Sequence, residues 1–327
     1  MADTNLAIPQ EITDLPNAER QITPSALSTV INGTEGNDIL TTTAQDDIVN
    51  AFGGNDTVKG SKGNDFINGG TGIDAIDYFS LGGPVRLGAA GKVFKGANGS
   101  FGEDQLSGLE TIIGSKGTGD LIDGSTATSG TVPIDVNLDL ETLSVIGIPG
   151  LGTQTFTVRN FEDVNGTSIA DVITGDGKNN KIDGGGGDDI LTGTTGASVR
   201  FNEVDTLTGG TGNDTFILGS GDNLFYSSNK NADFAKITDF GNGADRIFLA
   251  NGNYATNDGA TRLFAIKADG TRDLVAKIDY SVGSASLRNI QSSELSVGDA
   301  AVDPLLATNT FSLSNGQSFG VFTAGIA

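Results

Sequence analysis

The sequence predicts an all-β protein, a parallel β-roll or β-solenoid of nonapeptide repeats in two blocks, with interrupting strands and a C-terminal β-rich cap. Three observations carry that expectation. An aspartate recurs every nine residues at Asp38, Asp47, Asp56, Asp65 and Asp74. An apolar residue follows each of them two positions later, at Leu40, Val49, Val58, Ile67 and Ile76. Glycine supplies 49 of the 327 residues without the triplet period of collagen, and it gathers just ahead of the aspartates.

The nine-residue unit divides into two physical parts. About three residues form a short strand whose middle apolar side chain points inward while its neighbours face out. The other six make a turn tight enough to need positive φ, which Gly and, less readily, Asn or Asp adopt at low cost. Two units close one coil of eighteen residues. Asp38, Asp56 and Asp74 then stack along one edge, and Asp47 and Asp65 along the other. Leu40, Val49, Val58, Ile67, Ile76, Ile173, Ile182 and Leu191 are expected in the core.

A second block repeats the period with Asp171/Ile173, Asn180/Ile182 and Asp189/Leu191, then, after an insertion, Asp205/Leu207 and Asp214/Phe216. Isolated copies stand between the blocks at Asp104/Leu106 and Asp120/Ile122. The stretch Val132 to Leu140 alternates apolar and polar residues, the pattern of a half-buried strand. The expected organisation is an N-terminal cap or docking segment over 1–30, a first roll block over 31–80 and a β-rich interruption over 81–165. A second block covers 166–220, a β-rich capping region 221–300, and a charge-free tail 301–327. Ile8, Ile12, Leu15, Ile22, Leu27, Val30 and Ile31 give the residues before Gly33 enough apolar surface to cap the first coil or dock on a neighbouring subunit.

Composition narrows the chemistry. With 41 acidic against 19 basic side chains the formal net charge is −22, so nucleic acid and anionic lipid are unfavourable partners. The absence of Cys and His excludes disulfides, thiolate sites, Ser-His and Cys-His catalysis and the histidine zinc sites. Binding of hard cations through oxygen survives. Stacked strands lie ~4.8 Å apart, so successive layers bring carboxylates together. A divalent cation between layers turns that repulsion into cohesion, and an all-oxygen shell selects Ca²⁺. The expected metal ligands are Asp38, Asp47, Asp56, Asp65, Asp74, Asp171, Asp189, Asp205 and Asp214, holding several ions.

These units resemble the nonapeptide G-G-x-G-x-D-x-U-x of the RTX, or hemolysin-type, calcium-binding proteins, a bacterial family. The likeness is tightest over Gly69 to Asp77 (GGTGIDAID), Gly184 to Thr192 (GGGGDDILT) and Gly209 to Ile217 (GGTGNDTFI). Thr42 to Gln45 depart from it by replacing the glycines before Asp47, and Asn180 replaces an aspartate. The segment Asp233 to Phe240, followed by Asp245 to Leu249, is similar to the β-rich cap after the last repeats of many such chains, cyanobacterial ones especially. The resemblance implies calcium binding and export through a type I (ABC-transporter) channel with an uncleaved C-terminal signal. The charge-free stretch Pro304 to Ala327 fits such a signal.

Catalysis is not expected. The repeats begin by Gly33, and no pair among Glu103, Glu110, Asp135, Asp139, Glu141 and Glu162 is singled out for carboxylate chemistry. No apolar run is long enough for membrane insertion. The outward positions Ile39, Ile48, Thr57, Phe66 and Ala75 lack the regular threonine ranks of an ice-binding face. Two functional readings remain. One is a secreted, calcium-cemented structural protein of the cell surface or extracellular matrix (S-layer, sheath or fibril) that self-associates. The other is a soluble calcium-dependent adhesin or module binding cell-surface polysaccharide.

Overall fold

The computed structural model describes residues 29–280 apart from 118, 128–130, 197–201, 228–231 and 258–260. It also gives the backbone of the strands Leu295–Ser296, Thr308–Ser312 and Ser318–Phe322. The apolar N-terminal segment and most of the charge-free tail lie outside the described residues. Short strands and three 3-10 turns make up the regular structure, and the described residues contain no α-helix. The chain divides into two units, residues 1–130 with 141–161, and residues 131–140 with 162–327.

The first unit is built on two parallel ladders. Thr29–Asn32, Asp47–Asn50, Phe66–Asn68 and Gly102–Ser107 succeed one another in one sheet. Ile39–Thr41, Thr57–Lys59, Ala75–Asp77 and Thr111–Ile113 do so in the other. Ile39 pairs with Thr57 and Ile48 with Phe66, so the coil is eighteen residues long and the chain changes sheet at every turn. A longer insertion follows. Val85–Gly88, Lys92–Lys95 and Gly102–Ser107 form an antiparallel meander, which brings the copy at Asp104 back onto Phe66–Asn68.

The second unit repeats the plan. Asp163–Asn165, Lys181–Asp183, Val204–Thr208, Phe234–Phe240 and Arg272–Tyr280 pair in parallel succession in one sheet. Ile134–Asn137, Val172–Thr174, Ile190–Thr192, Thr215–Ile217 and Arg246–Phe248 do so in the other. The insertion after Thr192 lengthens one coil, since Ile190 pairs with Thr215 and Lys181 with Thr206. Antiparallel closure begins only with Arg272–Tyr280, Arg262–Ile266 and Asn253–Thr256. The segments Asp233 to Phe240 and Asp245 to Leu249 therefore start as further coils before the cap proper.

The core follows the predicted phase. Val49, Val58, Ile67, Ile76, Ile173, Ile182 and Leu191 are fully buried, as are Leu207 and Phe216. Leu40 is only half-buried, because Ile39–Thr41 is the end strand of its sheet and has a neighbour on one side alone. The alternation from Val132 to Leu140 yields a strand of four residues, Ile134–Asn137, rather than nine. The Asn137 side chain accepts the Leu140 N–H and turns the chain there, leaving Leu140 exposed.

Candidate metal centre

The repeat aspartates form hydrogen-bonded columns. In each column the backbone N–H of one aspartate donates to Oδ1 of the acidic residue one coil further on. Asp38 donates to Asp56 and Asp56 to Asp74, both at 2.8 Å, and Asp74 donates to Glu110 Oε2. On the opposite edge of the same unit Asp47 donates to Asp65 and Asp65 to Asp104. In the second unit the succession is Asp171, Asp189, Asp214, Asp245 on one edge, and Asn180 to Asp205 on the other. Each bond satisfies a strand-end N–H and consumes one carboxylate oxygen.

Oδ2 turns back over the loop of its own repeat, and this explains the first glycine of the motif. A Cβ on Gly69 would sit 2.8 Å from Asp74 Oδ2, inside contact distance, and would strike the Gly108 carbonyl as well. Gly184 and Gly209 are held equally close to Asp189 and Asp214. Gly70 and Gly72 take φ of 98° and 143°, values that favour glycine. Phe52 holds the corresponding left-handed position before Asp56 with φ 72° and no glycine to ease it.

What Oδ2 meets in the loop differs from copy to copy, and the copies sort into three kinds. Thr34, Thr43 and Thr167 cap Asp38, Asp47 and Asp171, each through its backbone N–H at 2.5–2.6 Å and its hydroxyl at 2.9–3.0 Å. Internal side chains serve three more. Lys95 Nζ lies 3.1 Å from Asp65 Oδ2 and also contacts Asp104 Oδ1, while the Tyr78 hydroxyl donates to Asp104 Oδ2 at 2.7 Å. Tyr226 donates to Asp205 Oδ2 at 2.6 Å. The third kind has nothing: Oδ2 of Asp56, Asp74, Asp189 and Asp214 is buried without a hydrogen-bond partner. In the Asp189 and Asp214 copies the loop N–H points elsewhere, that of Gly185 to Asp183 and that of Gly210 to Asp239.

The unpartnered oxygens fall in consecutive layers, Asp56 with Asp74 and Asp189 with Asp214. An anionic oxygen withdrawn from water without a donor is costly, and a cation removes that cost. The residues present fit a hard divalent ion. Among the described residues no group of three acidic side chains is placed to hold an ion alone. An ion at these pairs would complete its shell from turn carbonyls and water. Electrostatics agree. Burial first, then Asp214 and its other acidic neighbours, push Asp189 up to about 8. Burial, then Asp245, raises Asp214 to about 6, and burial also raises Asp74.

The nine predicted ligands are thus brought into four columns, buried except for the half-exposed Asp38. Asn180 is fully engaged, its amide donating to the Glu162 carbonyl and accepting from the Asp176 N–H. Sequence reading missed Asp245, although Asp245 and Ile247 keep the two-residue offset and Gly241 and Gly243 precede them. It also missed Lys95, Tyr78 and Tyr226, which belong to no motif, and Glu203. Burial and the neighbouring Asp205 hold the Glu203 carboxyl up at about 8.

Against known families, the model for the RTX calcium-binding nonapeptide repeat matches in four copies, at residues 28–58, 46–76, 165–199 and 201–229. Among solved structures the chain is similar to the extracellular lipase LipA from Serratia marcescens, at 18% identity and a TM-score of 0.25. That alignment covers 78% of this chain and 38% of the lipase. No curated protein sequence matches.

Proposed function

We propose, from the premise that this chain carries the RTX calcium-binding nonapeptide repeat, that it is a secreted, non-catalytic structural protein of the cell surface or extracellular matrix. It folds around Ca²⁺ after export by a type I machinery. The observation that carries the calcium reading is the pairing of unpartnered, buried carboxylate oxygens in adjacent layers. Asp56 with Asp74 and Asp189 with Asp214 are the pairs that hold ions. At Asp38, Asp47 and Asp171 an ion has to displace a threonine donor, and those sites are the weaker ones.

Sites of carboxylates on glycine turns belong to the weak extracellular range of ~10⁻⁴–10⁻³ M, which the cytosol cannot fill. Calcium at ten times Kd stabilises the folded state by about 1.4 kcal/mol per site, and layered sites add. A chain with charge −22 therefore stays open inside the cell and folds outside. Self-association is supported by an outward apolar rank. Val30, Ile48 and Phe66 lie side by side on one sheet, with Val30 57% and Phe66 46% exposed.

Titrating the purified chain with CaCl₂ while following circular dichroism and light scattering tests both halves. The expected result is a cooperative gain of β-structure, with polymers visible by electron microscopy, reversed by chelation and poorly reproduced by Mg²⁺. Full β-structure in excess EDTA refutes the folding half. Folded monomers at high concentration move the assignment to a soluble adhesin or polysaccharide-binding module.

A further inference from the structure

We propose that Lys95 is a built-in counter-cation, an ammonium group that stands where calcium would stand between two layers of the roll. It makes the Asp65–Asp104 step independent of metal. The two edges of the first unit supply the comparison. On both, the Oδ1 positions are consumed by backbone N–H groups. On the Asp56–Asp74 edge both Oδ2 atoms are left buried and unpartnered. On the Asp65–Asp104 edge every carboxylate oxygen has a donor. Lys95 bridges the two aspartates, and Tyr78 takes the remaining oxygen of Asp104.

The Lys95 side chain and that of each aspartate it bridges are 0% exposed. A lysine ammonium is rarely withdrawn from water so completely unless paired, and here it has two carboxylates. Tyr78 is also fully buried, and its ring fills the loop of the Asp65 copy. A Cβ on Gly60, five residues before Asp65, would collide with that ring. The space that a turn-bound ion uses on the other edge is occupied by protein on this one.

The donors arrive from the long insertion. Tyr78 follows the last regular repeat of the first block directly. Lys95 ends the strand Lys92–Lys95, whose antiparallel pairing with Gly102–Ser107 places its last residue opposite Gly102, beside Asp104. The insertion thus carries a cation into the column where the repeat is broken. Lys95 acts as a specificity-determining residue, deciding that the Asp65–Asp104 step takes up no metal.

This inference rests on the assignment of calcium to the Asp56–Asp74 pair, and ion counting separates the two. Bound calcium is measured by native mass spectrometry and equilibrium dialysis on the full chain. Wild type that binds no calcium defeats the underlying assignment. If wild type does bind calcium, Lys95→Met is expected to bind one ion more, because the same stem without its charge leaves two carboxylates facing each other. A count unchanged in folded Lys95→Met overturns the proposal. Two further variants decide the matter if Lys95→Met does not fold. Asp104→Asn should leave the wild-type count unaltered, whereas Asp74→Asn should lower it by one. A lost ion in Asp104→Asn overturns the proposal equally.

Discussion

The two edges of the first unit start from one repeat and end with different chemistry. Along Asp38, Asp56 and Asp74, and along Asp47, Asp65 and Asp104, the backbone ladder is the same and the layer spacing is the same. One edge leaves Asp56 and Asp74 with buried, unpartnered oxygens beyond the threonine-capped Asp38, and the other contains a cation of its own. The second unit splits likewise. Asp189 and Asp214 keep unpartnered oxygens, while on its other edge Asn180 has lost the charge and Tyr226 serves Asp205. A buried column of carboxylates must be neutralised layer by layer, and metal is one means among several. Protein donors suffice wherever an insertion can deliver them.

That contrast can be broken at several levels of effect. The largest is chelation. At neutral pH EDTA should remove most of the β-structure seen by circular dichroism, because the metal-dependent edges carry unrelieved charge. Acid should partly replace calcium. Asp189 and Asp214 have folded-state values of about 8 and about 6, raised above an unfolded value near 4. A raised carboxyl favours the fold below the unfolded value and loses that contribution as pH rises through the folded one. The chelated chain should therefore hold β-structure near pH 4–5 and lose it between about pH 5 and 8. A calcium-saturated sample should show no such loss.

Asp104→Ala is next, since it leaves Lys95 buried with one partner. It should cost about 3–5 kcal/mol in urea denaturation at every calcium concentration that folds the chain. Asp74→Asn should behave oppositely. Its cost should be small at low calcium and grow with the logarithm of concentration, reaching about 1.4 kcal/mol at ten times Kd. Equal calcium dependence for the two variants would erase the distinction between the edges. The smallest effect belongs to the threonine caps. Thr167→Val keeps the N–H donor to Asp171 and removes the hydroxyl, for a loss of about 1 kcal/mol that shrinks at the high calcium concentrations where an ion displaces the threonine donor.

Much of the roll was legible because its information is local. A nine-residue period dictates where the chain turns, and an apolar residue two after each aspartate dictates which side chain enters the core, so Val49 through Leu191 fall where expected. Legibility ended where local pattern met a tertiary neighbour. Leu40 keeps the pattern but lies in an end strand, and the Val132 to Leu140 alternation was cut short by an Asn137 turn. Asp245 was readable by its spacing and was masked by its likeness to a capping segment.

The neutralisation of the columns was not legible, and the reason is physical. Lys95 is 30 residues from Asp65 and Tyr226 is 21 from Asp205, with no motif around either. In sequence they are an ordinary lysine and an ordinary tyrosine. By itself the sequence determined the coil length, the core phase, the glycine turns and the alignment of carboxylates into columns, because each follows from backbone geometry within one repeat. Only the tertiary structure decided which carboxylates Thr, Lys or Tyr satisfies and which keep a buried oxygen without a partner. A buried charge is balanced through space, by whatever the rest of the fold brings within hydrogen-bonding distance.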